Sequence, residues 1–348
     1  MKDTNLIIGK INSGKTKGIL FKETKKAIEN NENLFILDSR GEYYKTFGSE
    51  LKNNNYNTYV INLNDPIKSN GWNPLYLPYM YYKNNQIDKC LDCLKNLTLE
   101  IFKDENPNSD PFWSNSSADY VTGIILTLFK EGKIEEINLG SVGTILTQSS
   151  IKHSDKTLLQ TYLDDIDIMN PIYTLLSATE FAPPETKGSI ISVIRQKLNL
   201  IYIKENLLNM LSINELDLTK INDKTAIIVI GKSDIANILL DQIIYVTNNS
   251  NIKFNFILDN LDSYSKILTL EDLIENASYN KLKVNVAIRN LEEMEYKYGK
   301  YVFNKFQNVI NIENELDLVE EGNYNEFPII KEINKSFFDL KKYIEKNK

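Results

Sequence analysis

An α/β protein with a mostly parallel sheet, interrupted by an inserted all-α domain, is the fold this chain predicts, and three observations carry that reading. Leu6-Ile7-Ile8 is a short apolar run that leads at once into Gly9-Lys10-Ile11-Asn12-Ser13-Gly14-Lys15-Thr16 and then into a helical pattern. Further short apolar runs, most of them separated by helical stretches, recur towards both ends of the chain, as strand–helix–strand crossovers require. Between about residues 75 and 180 the strand signals fade and helical periodicity dominates. The expected organisation is a discontinuous nucleotide-binding domain, residues 1–74 and 181–348, around a helical insertion, residues 75–180.

The opening stretch has the chemistry of a phosphate-binding loop. Glycines let backbone N–H groups curl round phosphate oxygens, and a helix beginning near Gly14 aims its positive dipole end at them. Gly9, Asn12, Ser13, Gly14, Lys15 and Thr16 are the expected nucleotide contacts, with Lys15 reaching the outer phosphates and the Thr16 hydroxyl offered to Mg²⁺. Leu6 to Ile8 reads as a buried parallel strand, and Ile19, Leu20 and Ala27 continue a helix, which is the setting the motif needs.

Composition excludes several function classes. A net charge of −7 gives no global attraction to nucleic acid or to an anionic membrane, so any DNA contact must come from local lysines in a loop or channel. The longest apolar stretches, such as Val121 to Phe129, fall short of the roughly 20 residues that span a bilayer, and the start has no signal-peptide pattern. A cytosolic chain is expected. Cys90 and Cys93 form a lone CxxC, and the single histidine is the distant His153, so the cysteines read as two small apolar residues one helical turn apart.

Asn33-Leu34-Phe35-Ile36-Leu37 is a second strand signal ending in Asp38-Ser39-Arg40-Gly41-Glu42, and Tyr59 to Leu63 is a third. Ligand sites in parallel sheets lie at such carboxyl ends. Helical patterns follow, including Ile87 to Phe102 and Ser117 to Lys130. Pro183-Pro184 marks the return to the first domain, with a helix through Ile190, Val193, Ile194 and Leu198. Strand signals resume at Ala226–Ile230, Phe254–Leu258, Val284–Ile288 and Val309–Ile312, and the lysine-rich segment Lys341 to Lys348 reads as a frayed, solvated helix.

A nucleotide hydrolase also needs an acid that orients the metal shell. Asp259, closing the apolar Phe254 to Leu258, is the preferred candidate because its strand is the most continuous one; Asp38 is the competitor.

The order of these motifs resembles the TraG/TraD family of type IV secretion coupling proteins. Gly9 to Thr16 matches that family's Walker A, and Asp38-Ser39-Arg40-Gly41-Glu42 is similar to its Asp-x-Lys-Gly-Glu, with Arg40 in place of lysine. Trp72-Asn73-Pro74-Leu75, Asp110-Pro111-Phe112-Trp113, Glu185-Thr186-Lys187-Gly188-Ser189-Ile190, Thr225 to Ile230 and Tyr298-Gly299 follow in the family's order. The resemblance implies a RecA-like P-loop ATPase that binds ATP and Mg²⁺ and works on DNA, single-stranded more readily than double-stranded. It also implies partnership with a relaxase and membrane secretion components, and a homo-hexameric ring. Thr16 and Asp259 would hold the metal. Two departures stand out. Asn260 occupies the place of the family's water-polarising glutamate, so Asp262, Glu42 or Asp38 would have to serve if the fold brings one near the terminal phosphate; the strand-end glutamine is replaced by Arg289. The chain also begins almost at the first strand, where family members carry two transmembrane helices, which implies either a cytoplasmic branch recruited to the inner face of the membrane by a partner or a reduced relative with a changed role. A nucleotide-binding regulatory or assembly subunit without turnover is therefore the alternative, and a P-loop kinase using Asp38 a third.

Arginine occurs only at Arg40, Arg195 and Arg289. Arg195 is a candidate arginine finger, against an ordinary salt bridge, and Arg289 a candidate sensor of the terminal phosphate. Tyr76, Tyr79, Tyr81 and Tyr82 could stack on single-stranded DNA, but packing inside the helical insertion is the simpler expectation.

Overall fold

The computed structural model describes residues 3–104, 106, 108–153, 155–280, 282–312, 316–330 and 335–347; the His153 and Ser278 side chains and Lys348 lie outside the described residues. The chain starts with β1 (Thr4–Ile8), a π-helical segment Lys15–Leu20, α1 (Phe21–Glu29), β2 (Asn33–Asp38), α2 (Glu42–Asn53) and β3 (Asn57–Asn62). It continues through α3 (Tyr76–Lys83), α4 (Ile87–Phe102), α5 (Pro111–Glu131), α6 (Leu139–Gln148), a hairpin of β4 (Lys152–His153) and β5 (Lys156–Thr157), α7 (Leu158–Leu163), α8 (Pro171–Glu180), α9 (Pro184–Tyr202) and α10 (Glu205–Met210). Then come β6 (Thr225–Ile230), α11 (Asp234–Asn248), β7 (Phe254–Leu258), α12 (Leu270–Tyr279), β8 (Lys283–Ile288), α13 (Leu291–Tyr298), α14 (Lys300–Phe303), β9 (Asn308–Asn311) and α15 (Leu340–Asn347).

Two compact units result, Met1–Asn70 with Leu218–Ile330, and Gly71–Asp217 with Lys331–Lys348. The unit boundaries thus differ from the sequence expectation of 74/75 and 180/181. Helix α9, expected in the α/β domain, carries the buried stripe Ile190, Ile191, Ile194, Leu198 and Ile201, which packs on α4, α5 and α8 of the helical unit. The lysine-rich end is likewise docked in that unit, where α15 buries Leu340 and Ile344 against α6 and α7 and the Tyr343 hydroxyl donates to Glu131 Oε2 at 2.7 Å. Apolar residues one turn apart, hidden among lysines, are enough for that docking. Tyr79 is buried and meets the Phe129 ring edge-on at 5.3 Å, so it belongs to packing. Cys90 and Cys93 are buried on α4, and burial pushes the Cys90 thiol up to about 12 and the Cys93 thiol up as well. None of the described helices is long and apolar enough to cross a membrane.

The first unit is organised by a seven-stranded sheet in the order β3-β6-β2-β7-β8-β1-β9, every ladder parallel. Strands β2, β6 and β7 are buried along their whole length, because helices cover both faces of the sheet; this is why their sequences are continuous apolar runs and not alternating ones. On one face Ile7, Leu34, Ile36, Val60, Ile228 and Ile257 pack with Phe21, Ile28, Tyr43, Phe47 and Leu51 of α1 and α2. A side-chain amide ladder crosses the sheet: Asn308 donates to Asn5 at 3.2 Å, Asn5 to Asn285 at 2.9 Å, Asn285 to Asn255 at 3.0 Å and Asn255 to Glu32 at 3.1 Å. Each buried amide is satisfied only in this register, so the ladder opposes slippage of strands that are otherwise uniformly apolar.

Parallel strands deliver all their exits to one edge. The turns after β1, β2, β6, β7 and β8 therefore gather Gly9–Lys15, Ser39–Glu42, Lys232, Asn260 and Arg289 on the same side of the sheet.

Candidate functional site

A cavity at that edge, with a volume of about 340 Å³, is lined by the loop residues Ile11 to Lys17 together with Ser39, Arg40, Glu42, Lys232, Asn260, Ser263, Arg289 and Leu318. The loop's shape follows from its residue types. Asn12 (φ 62°) and Gly14 (φ 88°) are left-handed, which asparagine tolerates and glycine adopts freely. At Gly9 a Cβ would collide with Ser13 Oγ, so a side chain there would open the loop.

Lys15 is buried, and its ammonium folds back onto the Gly9 and Lys10 carbonyls at 2.5 and 2.8 Å. Burial lowers its pKa, while Asp259 and Asp262 act the other way. The Thr16 hydroxyl donates to Asp259 Oδ2 at 2.7 Å. Asp259 is itself buried, and desolvation raises its carboxyl to about 6 despite the Thr16 hydrogen bond. Ser13 Oγ is buried with no hydrogen-bond partner, whereas the buried Asp259 carboxyl and Tyr43 hydroxyl face each other as a close pair. An orphaned hydroxyl at the head of a helix, beside a glycine cradle, is what a phosphate would satisfy, and a buried acid bonded to the Thr16 hydroxyl is what its divalent cation would meet. The residues present fit a nucleoside triphosphate with Mg²⁺. Thr16 and Asp259 are the pair that would hold the metal, whose chemistry is to neutralise phosphate charge. Among the described residues no group of three His, Cys, Asp or Glu side chains could hold a metal by itself.

Asp38 occupies a different place. Its Oδ1 accepts the N–H groups of Arg40, Gly41 and Glu42 at 3.3, 2.8 and 3.0 Å, and its Oδ2 that of Tyr43 at 2.9 Å. It is the brace of the β2–α2 turn, buried beneath the cavity and absent from its lining. Burial raises its carboxyl to about 6, against the pull of those four N–H groups. Arg289 lines the cavity and pairs through Nε with the buried Asp262, which also accepts its N–H at 3.3 Å. Arg195 lies on α9 in the helical unit, beside Ile194, Leu198 and Tyr202 in an apolar cavity. Lys232 and Leu318 were not legible as site residues. Lys232 follows a strand end, which is a usable signal, whereas Leu318 arrives on an irregular segment that crosses the loop helix, with Val319 N–H bonded to the Lys17 carbonyl at 3.0 Å.

Strand β8 lies between the loop strand β1 and the Asp259 strand β7. That interposed strand separates the sheet from the arrangement in which the acidic strand directly follows the first helix, and it defines a RecA-like P-loop NTPase. The particular family comes from sequence: the family model for conjugative DNA transfer by the type IV secretory system matches residues 4–309, and the chain belongs to that family of TraG/TraD-type coupling proteins. No match was found among curated protein sequences. Solved structures agree on the fold. The unbound monoclinic form of the bacterial conjugative coupling protein TrwBdeltaN70 aligns with a TM-score of 0.62 at 12% identity, over 88% of this chain and 67% of that one. Plasmid coupling protein TrwB in complex with ADP and Mg²⁺ aligns at 0.61, and the same protein with the ATP analogue ADPNP at 0.58, each at 12% identity over 88% of this chain and 70% of that one.

Proposed function

We propose that this coupling protein binds ATP with Mg²⁺ and hydrolyses it to drive DNA through a conjugative secretion apparatus. The observation that carries the reading is the 2.7 Å Thr16–Asp259 hydrogen bond beside the loop, since it joins a phosphate cradle to the buried acid that a metal-dependent NTPase requires. Lys15 would exchange its loop carbonyls for phosphate oxygens, and Arg289 would approach the terminal phosphate from β8. Gly9, Asn12, Ser13 and Gly14 would supply the backbone cradle. Arg195 acting across a subunit boundary, a homo-hexameric ring, single-stranded DNA as cargo, and a relaxase and membrane components as partners complete the proposal; they rest on family membership. So does recruitment to the inner face of the membrane.

A second reading, a nucleotide-binding subunit without turnover, is favoured by one observation: Asn260 faces the cavity where the water-polarising carboxylate is expected. Mg²⁺-dependent ATP turnover by the purified chain, with and without single- and double-stranded DNA, separates the two. Turnover that DNA stimulates and Lys15→Ala abolishes supports the motor. ATP binding with no turnover above Lys15→Ala refutes it and leaves the regulatory subunit.

A further inference from the structure

Asn260 has no proton-accepting carboxylate, so a hydrolysing site must draw one from elsewhere. The other acids at this edge are already committed. Asp259 accepts the Thr16 hydroxyl, Asp38 is held by the N–H groups of its own turn, and Asp262 is buried against Arg289. Neither Asp38, Asp259 nor Asp262 lines the cavity. Glu42 does, and it is the only acidic residue among the described lining residues. Its carboxylate accepts no hydrogen bond among the described residues, and its sole ion-pair partner there is the Nη1 of exposed Arg40, 3.8 Å away. Glu42 also lies near enough to Asp259 to help raise that group's pKa. Its backbone is not free to wander, because the Glu42 N–H is one of those gripped by Asp38.

We propose that Glu42 is the general base of this site, performing from the turn after β2 the task that Asn260 cannot perform after β7. The inference rests on the hydrolysing reading above. As the oxygen of the attacking water bonds to the γ-phosphorus, its proton passes to the Glu42 carboxylate. The bond from the γ-phosphorus to the β–γ bridging oxygen breaks, ADP leaves with that electron pair, and the protonated Glu42 then releases its proton to solvent. Asp38 acts through Glu42 as a positioning residue.

The test uses the full chain and compares wild type, Glu42→Gln, Glu42→Asp, Lys15→Ala and the double variant Glu42→Gln/Asn260→Glu. Affinity is read with a fluorescent ATP analogue, the identity of bound nucleotide by chromatography, and turnover with saturating DNA. Thermal melting confirms that each variant folds. The expected result for Glu42→Gln is affinity within about twofold of wild type, ATP and not ADP as the retained nucleotide, and turnover lower by about 10²–10⁴-fold. Partial recovery in the double variant would further support a carboxylate that is required for its proton affinity and not for packing. Wild-type turnover that Glu42→Gln retains within about threefold overturns this inference and leaves the motor reading standing. Loss of affinity in step with turnover assigns Glu42 to nucleotide binding, and also overturns it. Wild-type turnover no higher than Lys15→Ala removes both readings together.

Discussion

Replacing Asp259 with asparagine should stabilise the protein at neutral pH while disabling it, and the structure sets the size of the effect. Burial raises the Asp259 carboxyl from 3.8 to about 6. Each unit is worth 1.36 kcal/mol, so keeping this group ionised in the fold costs about 3 kcal/mol at pH ~8. The sign follows from the direction of the shift. A carboxyl whose folded pKa lies above its unfolded one favours folding fully below about 3.8 and loses that contribution as the pH climbs through about 6. Asparagine carries no charge to desolvate, and its Oδ1 can accept the Thr16 hydroxyl as Asp259 Oδ2 does. Asp38 titrates identically in both proteins and cancels from the difference. Nucleotide-free Asp259→Asn should therefore exceed wild type by up to ~3 kcal/mol at pH ~8, and by only ~1 kcal/mol at pH ~4.5. Adding Mg²⁺ and ATP should reverse the order, because the ionised wild-type carboxylate gains a cation that the amide cannot hold. Thermal melts at both pH values, with and without Mg²⁺–ATP, supply all four comparisons. A variant that melts at or below wild type without nucleotide at pH ~8, or a gap that does not narrow on acidification, would refute the claim that burial sets the Asp259 titration.

Two further outcomes concern the scaffold. Asp38→Ala strips the acceptor from four turn N–H groups and should cost about 2–4 kcal/mol in urea unfolding, with turnover lowered because Glu42 leaves its place; an unchanged midpoint would refute its role as a brace. Ile344→Ala, on the buried face of α15, should lower the stability of that docking by about 2–4 kcal/mol. Hydrogen exchange should then show α15 losing protection while β2, β6 and β7 keep theirs, and equal loss everywhere would contradict two separately packed units.

What the sequence determined alone was the set of elements whose signals are local. Strands buried on both faces are apolar except where a buried polar side chain finds a partner, as in the asparagine ladder, so β1, β2, β6, β7 and β8 stood out as runs, and Gly9 to Thr16 could be read because a phosphate cradle needs those residue types in that order. The preference for Asp259 over Asp38 also came from strand continuity; in the fold Asp259 accepts the Thr16 hydroxyl and Asp38 the N–H groups of its own turn. Non-local matters were left to the tertiary structure. Helix α9 follows a Pro-Pro break that looks like a domain boundary, yet its apolar stripe finds its partners on α4, α5 and α8, so packing and not chain order assigned it to the helical unit. The pattern of α15 is that of a solvated lysine-rich helix until Leu340 and Ile344 are seen to meet α6 and α7. Asp38 and Glu42 stand four residues apart and read alike as acids at a strand end. Only the folded turn directs one carboxylate inward to its own backbone N–H groups and leaves the other facing the cavity, because where a side chain points depends on dihedral angles and neighbours that residue spacing does not encode.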